Sequence, residues 1–383
     1  MVSWSQVCAH RVAGHALHEP AEPDRLVDVV RAMCGVHAQV ATAAEVSIGV
    51  RVSGIDREDV RAALWERREL VRTYGLRGTV HVFPADELGL WLAALAAAPR
   101  PAVKLDPAVR LTDGRLDEVL AAIGAALAGG DALTWPELGD AVIRDTGPWA
   151  ADEVYPAFGQ YWQRWRPAIG VAAQRGELVF GPNRGNQVTY LRTDRWLPGF
   201  SMPSDGAGAL ATVAARYLST YGPATPAQFA QWLGMQPSAA TTLFDTLALD
   251  PVEVEGSVNG GTAWLPAGSS LRSCTPPVRL VPHFDAYLIG CHPRPRVFPG
   301  VASTRALSGG AAGPVPALII DGVVAGVWQH RRTGGKVAVT VEPFAPLRRR
   351  TLAAVEAQVE RIGEIMQARP TLTIGEVTAR AHL

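Results

Sequence analysis

The chain has 383 residues, 36 Lys+Arg against 36 Asp+Glu, four Cys and 48% hydrophobic residues. That length suits two to four domains, and the apolar share is that of a globular protein, which excludes disorder for most of the chain. Zero net charge argues against a general polyanion binder, and no run of about 18 apolar residues offers a membrane span.

The opening Met1-Val2-Ser3-Trp4-Ser5-Gln6 carries no basic stretch followed by an apolar one, so a cytoplasmic protein without membrane partners is expected. Cys8, Cys34, Cys274 and Cys291 are widely spaced, with no CxxC pair, and read as reduced thiols rather than metal ligands. All cations but Lys104 and Lys336 are arginines, as a GC-rich coding bias would give. The neutral sum hides an asymmetry. Leu271–Arg350 holds eleven cations and three acids, so this stretch carries +8 and the remainder −8. A localised anionic partner fits such a segment.

Apolar spacing predicts helices at Ser5–Leu17, Asp24–Met33, Ala44–Val50 and Arg57–Glu66, then a hairpin of Leu70–Tyr74 and Thr79–Phe83 around Gly75–Gly78. A second set begins with a helix from Arg115 to Leu127, ended by Gly129-Gly130. A helix follows that is N-capped by Thr134, with Pro136 in its first turn. Another helical stretch is expected around Pro156–Arg175, and Glu177–Leu191 reads as strand, turn, strand. The order returns a third time. Leu210–Leu218 is helical and Tyr221-Gly222-Pro223 breaks it; Thr225 caps a short helix ending near Gly234, and Pro237–Leu247 is a third helix. Val252–Trp264 then forms a strand pair around Asn259-Gly260-Gly261. Helix, capped helix, helix and hairpin is the winged-helix form of helix-turn-helix.

Beyond residue 276 short β-rich runs appear at Val278–Val281, Ala286–Ile289, Ala317–Ile320, Val323–Trp328 and Lys336–Val341, followed by a closing helix Leu347–Met366. The expected fold is α+β. Three tandem winged-helix modules (1–100, 101–200, 201–275) precede a small C-terminal β-barrel or sandwich (276–383). Trp4, Trp65, Trp91, Trp162, Trp165 and Trp232 sit mostly on helical faces, where core packing is their default role.

The usual catalytic motifs are missing: no P-loop, GxGxxG, GxSxG or HExxH occurs, and no carboxylate cluster has metal spacing. No cofactor is expected. What remains is Val36-His37-Ala38-Gln39-Val40. In an extended linker His37 and Gln39 share a face, so an imidazole could take a proton from a water that an amide orients. By spacing alone the same residues read more readily as a histidine satisfied at a helix junction beside a surface Gln, since an isolated His-x-Gln has almost no specificity.

The chain resembles the AlkZ/YcaQ group of bacterial winged-helix DNA glycosylases. The resemblance is carried by Val36–Gln39, Leu76–His81, Tyr221–Thr225, Leu280–Gly290 and Ile320–Trp328, in that order. It implies three winged-helix motifs and a β-barrel arranged around a DNA-binding channel, and monofunctional removal of alkylated purines from double-stranded DNA, bulky adducts and interstrand crosslinks included, by a monomer that needs no cofactor. The family's catalytic motif is commonly Gln-x-Gln or Gln-x-Asp. His37 holds the first position here, a departure, and Gln39 holds the second. N7-alkylguanine in base-excision repair or self-resistance is the expected substrate, and a non-catalytic winged-helix regulator is the alternative. The segment His292-Pro293-Arg294-Pro295-Arg296 is expected to probe DNA, and Arg331, Arg332 and Lys336 to contact phosphates. Arg77, Thr79 and His81 would share a strand face bordering the site, with Asp285 at its edge in a turn, capping or catalytic role.

Overall fold

The computed structural model describes residues 1–101, 106–157, 159–256, 262–307 and 315–378. Its first segment sets helices Trp4–Gly14, Leu26–Ala32, Ala41–Gly49 and Arg57–Trp65 around a three-stranded antiparallel sheet. In that sheet the strand Val80–Pro84 lies between Val36–His37 and Leu70–Tyr74. Ser3 and Gln6 form a capping box on the first helix, and Asp56 and Asp59 form one on the fourth. The helix Leu88–Ala97 closes the segment.

The second segment carries helices Asp113–Ala126, Trp135–Thr146 and Ala168–Gln174, with a sheet of Leu133–Thr134, Gln187–Arg192 and Leu178–Arg184. Thr134 caps its helix as expected, through a box with Glu137. The helix expected over Pro156–Arg175 is mostly something else. Glu153–Ala157 pairs with Gln160–Gln163, and only Ala168–Gln174 is helical. Gly159 takes a left-handed φ of 78° at the turn. Trp162 and Trp165 mimicked helical spacing although they serve different ends. Trp165 is fully buried, whereas the half-buried Trp162 lies under the Arg166 guanidinium at 3.8 Å.

In the third segment, helices Gly206–Tyr221, Pro226–Leu233 and Pro237–Thr246 precede the pair Leu249–Val252 and Ala263–Pro266. The expected turn at Asn259-Gly260-Gly261 lies outside the described residues. Gly222 is required where the first helix stops, because a Cβ there would meet the Leu218 carbonyl oxygen at 2.2 Å.

The C-terminal region departs from its expectation in three ways. Ala286–Ile289, read as a strand, is the helix Ala286–Gly290, because Asp285 caps it by accepting the Tyr287 N–H; a four-residue apolar run cannot distinguish the two. A strand not foreseen, Arg369–Ile374, pairs in parallel with Lys336–Pro343 after the crossover helix Arg349–Ile365. Finally, the five strands form a ladder in the order Arg279–Val281, Ala317–Ile320, Val323–Thr333, Lys336–Pro343, Arg369–Ile374. No pairing joins its ends among the described residues, so this is an open sheet rather than a barrel closed by hydrogen bonds.

One core is continuous from Val71, Phe83 and Trp91 through Tyr217, Tyr221, Phe229 and Trp232 to Leu288 and Trp328. A second joins the first segment to the second through Val36, Val80, Leu120, Trp165 and Phe180. The strand Val36–His37 that opens the His-x-Gln motif packs into this second core through Val36.

Candidate active site

The five signature segments converge. His37 pairs with His81 across the ladder, and the Ala38 N–H donates to the Val80 carbonyl at 2.7 Å. The His37 ring stacks on Phe284, with centroids 4.5 Å apart and planes at 24°. Gly290 approaches the Tyr221 ring so closely that a Cβ would lie 2.2 Å from it. The Tyr287 hydroxyl donates to the Gly322 carbonyl at 2.7 Å, and Trp328 Nε1 donates to the Val281 carbonyl at 2.8 Å. Most of the signature is thus scaffolding that brings distant chain onto one short strand.

At the centre His37 is 7% exposed, and its Nδ1 has no hydrogen-bond partner among the described residues. Burial, reinforced by the Arg77 charge, pushes its pKa down to about 4, so the ring is neutral at physiological pH. His81 is held well below its usual range by burial and by His37, and its Nδ1 lies 3.0 Å from the Thr79 carbonyl. Gln39 is exposed, and its Oε1 accepts the Val80 N–H at 3.3 Å. The strand ends at His37 and Gln39 lies in the bend that follows, so the shared face expected of an extended linker is not carried by strand alternation; Gln39 is at the surface and His37 is buried. From behind, Arg72 Nη2 donates to the Ala38 carbonyl at 3.2 Å. The donor set is that of an acceptor imidazole and an amide. No group of three or more His, Cys, Asp or Glu among the described residues could hold a metal ion.

The remaining expected residues divide. Arg77 lies not on the strand but in the turn Leu76–Gly78, at φ 55°, so it does not share a face by alternation with Thr79 and His81. Its guanidinium donates to the Trp232 carbonyl. Thr79 donates to the Leu76 carbonyl at 3.0 Å. Asp285 is wholly buried and bonded to Arg51 Nη1 and Nη2, both at 2.8 Å, to the Ser47 hydroxyl at 2.6 Å and to the Tyr287 N–H at 3.0 Å. With every acceptor direction used, it is a capping and anchoring group.

His292 is buried, with its pKa pushed down to about 3, chiefly by burial. Arg294 donates to the Leu288 and Ile289 carbonyls. Arg296 donates to the Glu255 carbonyl and lies over Trp4 at 4.4 Å. This segment braces the protein more than it projects from it. Arg331, Arg332 and Lys336, by contrast, are exposed at the end of the long hairpin. Arg369, exposed beside Lys336 in the parallel pairing, joins them. Sequence reasoning missed Arg369 together with its strand. It missed Arg51 and Phe284 as well, because no spacing connects residues more than 230 positions apart.

An enzyme that works on DNA is the class this chain falls into, and comparison with known proteins identifies it as a DNA glycosylase. The chain belongs to the AlkZ-like DNA glycosylase family, whose model matches residues 30–365. It is 30% identical over 372 residues to an interstrand DNA cross-link repair glycosylase of Streptomyces sahachiroi, covering 94% of this chain and 95% of that protein. It also resembles the solved structure of the S. sahachiroi DNA glycosylase AlkZ, at a TM-score of 0.76 and 28% identity, covering 98% of this chain and all of the other. Family membership sets aside the non-catalytic regulator. No helix among the described residues is long and apolar enough to cross a membrane.

Proposed function

We propose that this glycosylase hydrolyses the N-glycosidic bond of N7-alkylated guanine in duplex DNA, with His37 and Gln39 holding the attacking water. The observation that carries the reading is a neutral imidazole, held by burial in the cup formed by His81 and Phe284, beside an exposed amide anchored to the next strand. Alkylation at N7 makes the base a cationic leaving group, so no general acid is required. The sugar develops oxocarbenium character, and water attacking it becomes acidic as the bond forms. An imidazole with a pKa of about 4 is a weak base. It suffices here because it accepts a hydrogen bond from water and takes the proton late. Gln39 keeps its Nε2 hydrogens for the same water or for a phosphate.

The relative named for interstrand cross-link repair supports extending the substrate range to bulky and crosslinked adducts, in repair or antibiotic self-resistance. The repeated order of helices and hairpin supports three winged-helix units around a DNA channel. The exposed Arg331, Arg332, Lys336 and Arg369 fit phosphate contacts, since placing Lys336 against Arg369 costs stability unless an anion lies between them.

The test is single-turnover incubation of duplex DNA carrying one N7-methylguanine or one bulky N7 adduct, scored by alkaline cleavage at the abasic site. His37→Ala and Gln39→Ala should each lower the rate within the ~10²–10⁴ range of acid–base catalysis while DNA affinity persists. Activity surviving both changes would move the active site elsewhere.

A further inference from the structure

We propose that Phe284 is a positioning residue for His37, held in place by the buried Arg51–Asp285 pair. The proposal rests on the reading of His37 as the water-holding group. Imidazoles that act on water are usually oriented by a hydrogen bond from their second nitrogen to a carboxylate or carbonyl. His37 has no such partner on Nδ1 among the described residues. Its ring plane is therefore set by packing, and the closest parallel surface is the Phe284 ring at 4.5 Å, with the His81 ring tilted against it at 5.3 Å and 70°.

Phe284 occupies an unusual backbone state for a bulky residue, φ 57°, where glycine would be at ease. It stays there because the next residue is fixed. Asp285 takes both Arg51 Nη groups and the Ser47 hydroxyl and caps the following helix. Such two-pronged geometry sets direction as well as distance. Arg51 is in turn tied to the His15 carbonyl at 2.8 Å and the Ser47 carbonyl at 2.6 Å. Ser47 lies in the helix Ala41–Gly49, which starts two residues beyond Gln39. The path closes on itself: motif, helix, Ser47 and Arg51, Asp285, Phe284, and back to the His37 ring. One frame thus fixes both the strand that carries the imidazole and the aromatic surface that orients it.

The deciding variant is Phe284→Leu, which keeps an apolar side chain and removes the flat ring, alongside Phe284→Tyr, which keeps it. With duplex carrying one N7-methylguanine at saturating enzyme, Phe284→Leu should fall about tenfold in rate, as misplaced catalytic groups do. Its DNA affinity should stay within twofold, and Phe284→Tyr should remain near wild type. The loss should vanish in a His37→Gln background, because the ring acts through the imidazole; a merely structural role would lower both backgrounds equally. A Phe284→Leu rate within twofold of wild type overturns the proposal, as does an equal loss in the Tyr variant or in the His37→Gln background. If Leu unfolds the chain, Ser47→Ala weakens the anchor without stranding a charge, and a two- to threefold rate loss at unchanged affinity is expected; no loss overturns the idea. His37→Ala is run in parallel. If it retains activity, the reading of the active site fails; if it is inactive while Phe284→Leu is normal, only the present inference fails.

Discussion

His37 stands directly across from His81 in the antiparallel ladder, with ring centroids 5.3 Å apart and both rings kept neutral by burial. Three more of the nine histidines, His10, His15 and His292, are buried with lowered pKa values, at about 4 for His10 and about 3 for His292. In the unfolded chain each titrates near 6.5. Below that pH the unfolded state binds protons that the folded state refuses, so stability falls with acidification. The contribution is complete above pH 6.5 and is lost as pH drops toward 4, on the order of 3 kcal/mol for a ring shifted as far as that of His10. Urea denaturation at pH 7.5, 5.5 and 4.5 should show a steep decline across that window. A flat profile would mean that these rings accept protons in place.

The thiols should be inert. Burial pushes Cys8 up to about 11 and Cys34 and Cys291 up to about 12. The thiolate is the reactive species, so at pH 8 these three should alkylate at least ~10²-fold more slowly than a free cysteine. Cys274 is only half-buried. Iodoacetamide labelling of the native protein followed by peptide mass mapping should find Cys274 modified first, and the other three only after denaturant is added.

How much of this is legible in the sequence depends on how local the cause is. Caps announce themselves: Thr134 with Glu137 and Thr225 with Gln228 fix helix starts within four residues, and both starts are readable from the chain alone. Leu70–Tyr74 emerges at the expected bounds because β-branched and aromatic residues alternate before a glycine turn. The His-x-Gln strand can be found only by resemblance, since two polar residues in apolar flanks say nothing alone. The ring that stacks on His37 and the guanidinium that anchors its neighbour are products of tertiary folding, more than 230 residues away from their partners. Arg294 and Arg296 mislead for a related reason. An arginine in a proline-rich loop looks free in sequence, yet here both donate to backbone carbonyls.

The exposed tip of the long hairpin should behave differently from that braced loop. Replacing Arg331, Arg332 and Lys336 together by Ala should weaken DNA binding and reduce the dependence of log Kd on log salt by up to about three, one unit for each phosphate no longer neutralised. If these residues hold phosphates, as proposed, the single-turnover rate at saturating enzyme should be unchanged, because once the DNA is bound a phosphate contact positions it without entering the reaction. Filter binding across a salt series from about 50 to 300 mM, the range over which phosphate pairing weakens most, tests both points. A slope equal to wild type would remove the tip from the interface.

Arg51 and Asp285 offer a test of what a buried ion pair does for this fold. Both side chains are 0% exposed and meet at 2.8 Å. Arg51→Met alone leaves a carboxylate without its counter-charge and should cost about 3–5 kcal/mol. Adding Asp285→Leu removes that stranded charge, and much of the lost stability should return, because an apolar pair of similar size is often as stable as a buried ionic one. Recovery should be incomplete, since Asp285 also caps the helix Ala286–Gly290 and takes the Ser47 hydroxyl, and losing a cap costs about 1 kcal/mol. Thermal and urea unfolding of the two single variants and the double one give the coupling directly. Additive losses would mean that the charges act independently. A double variant as stable as wild type would show that the pair is kept for the direction it imposes rather than for the stability it supplies.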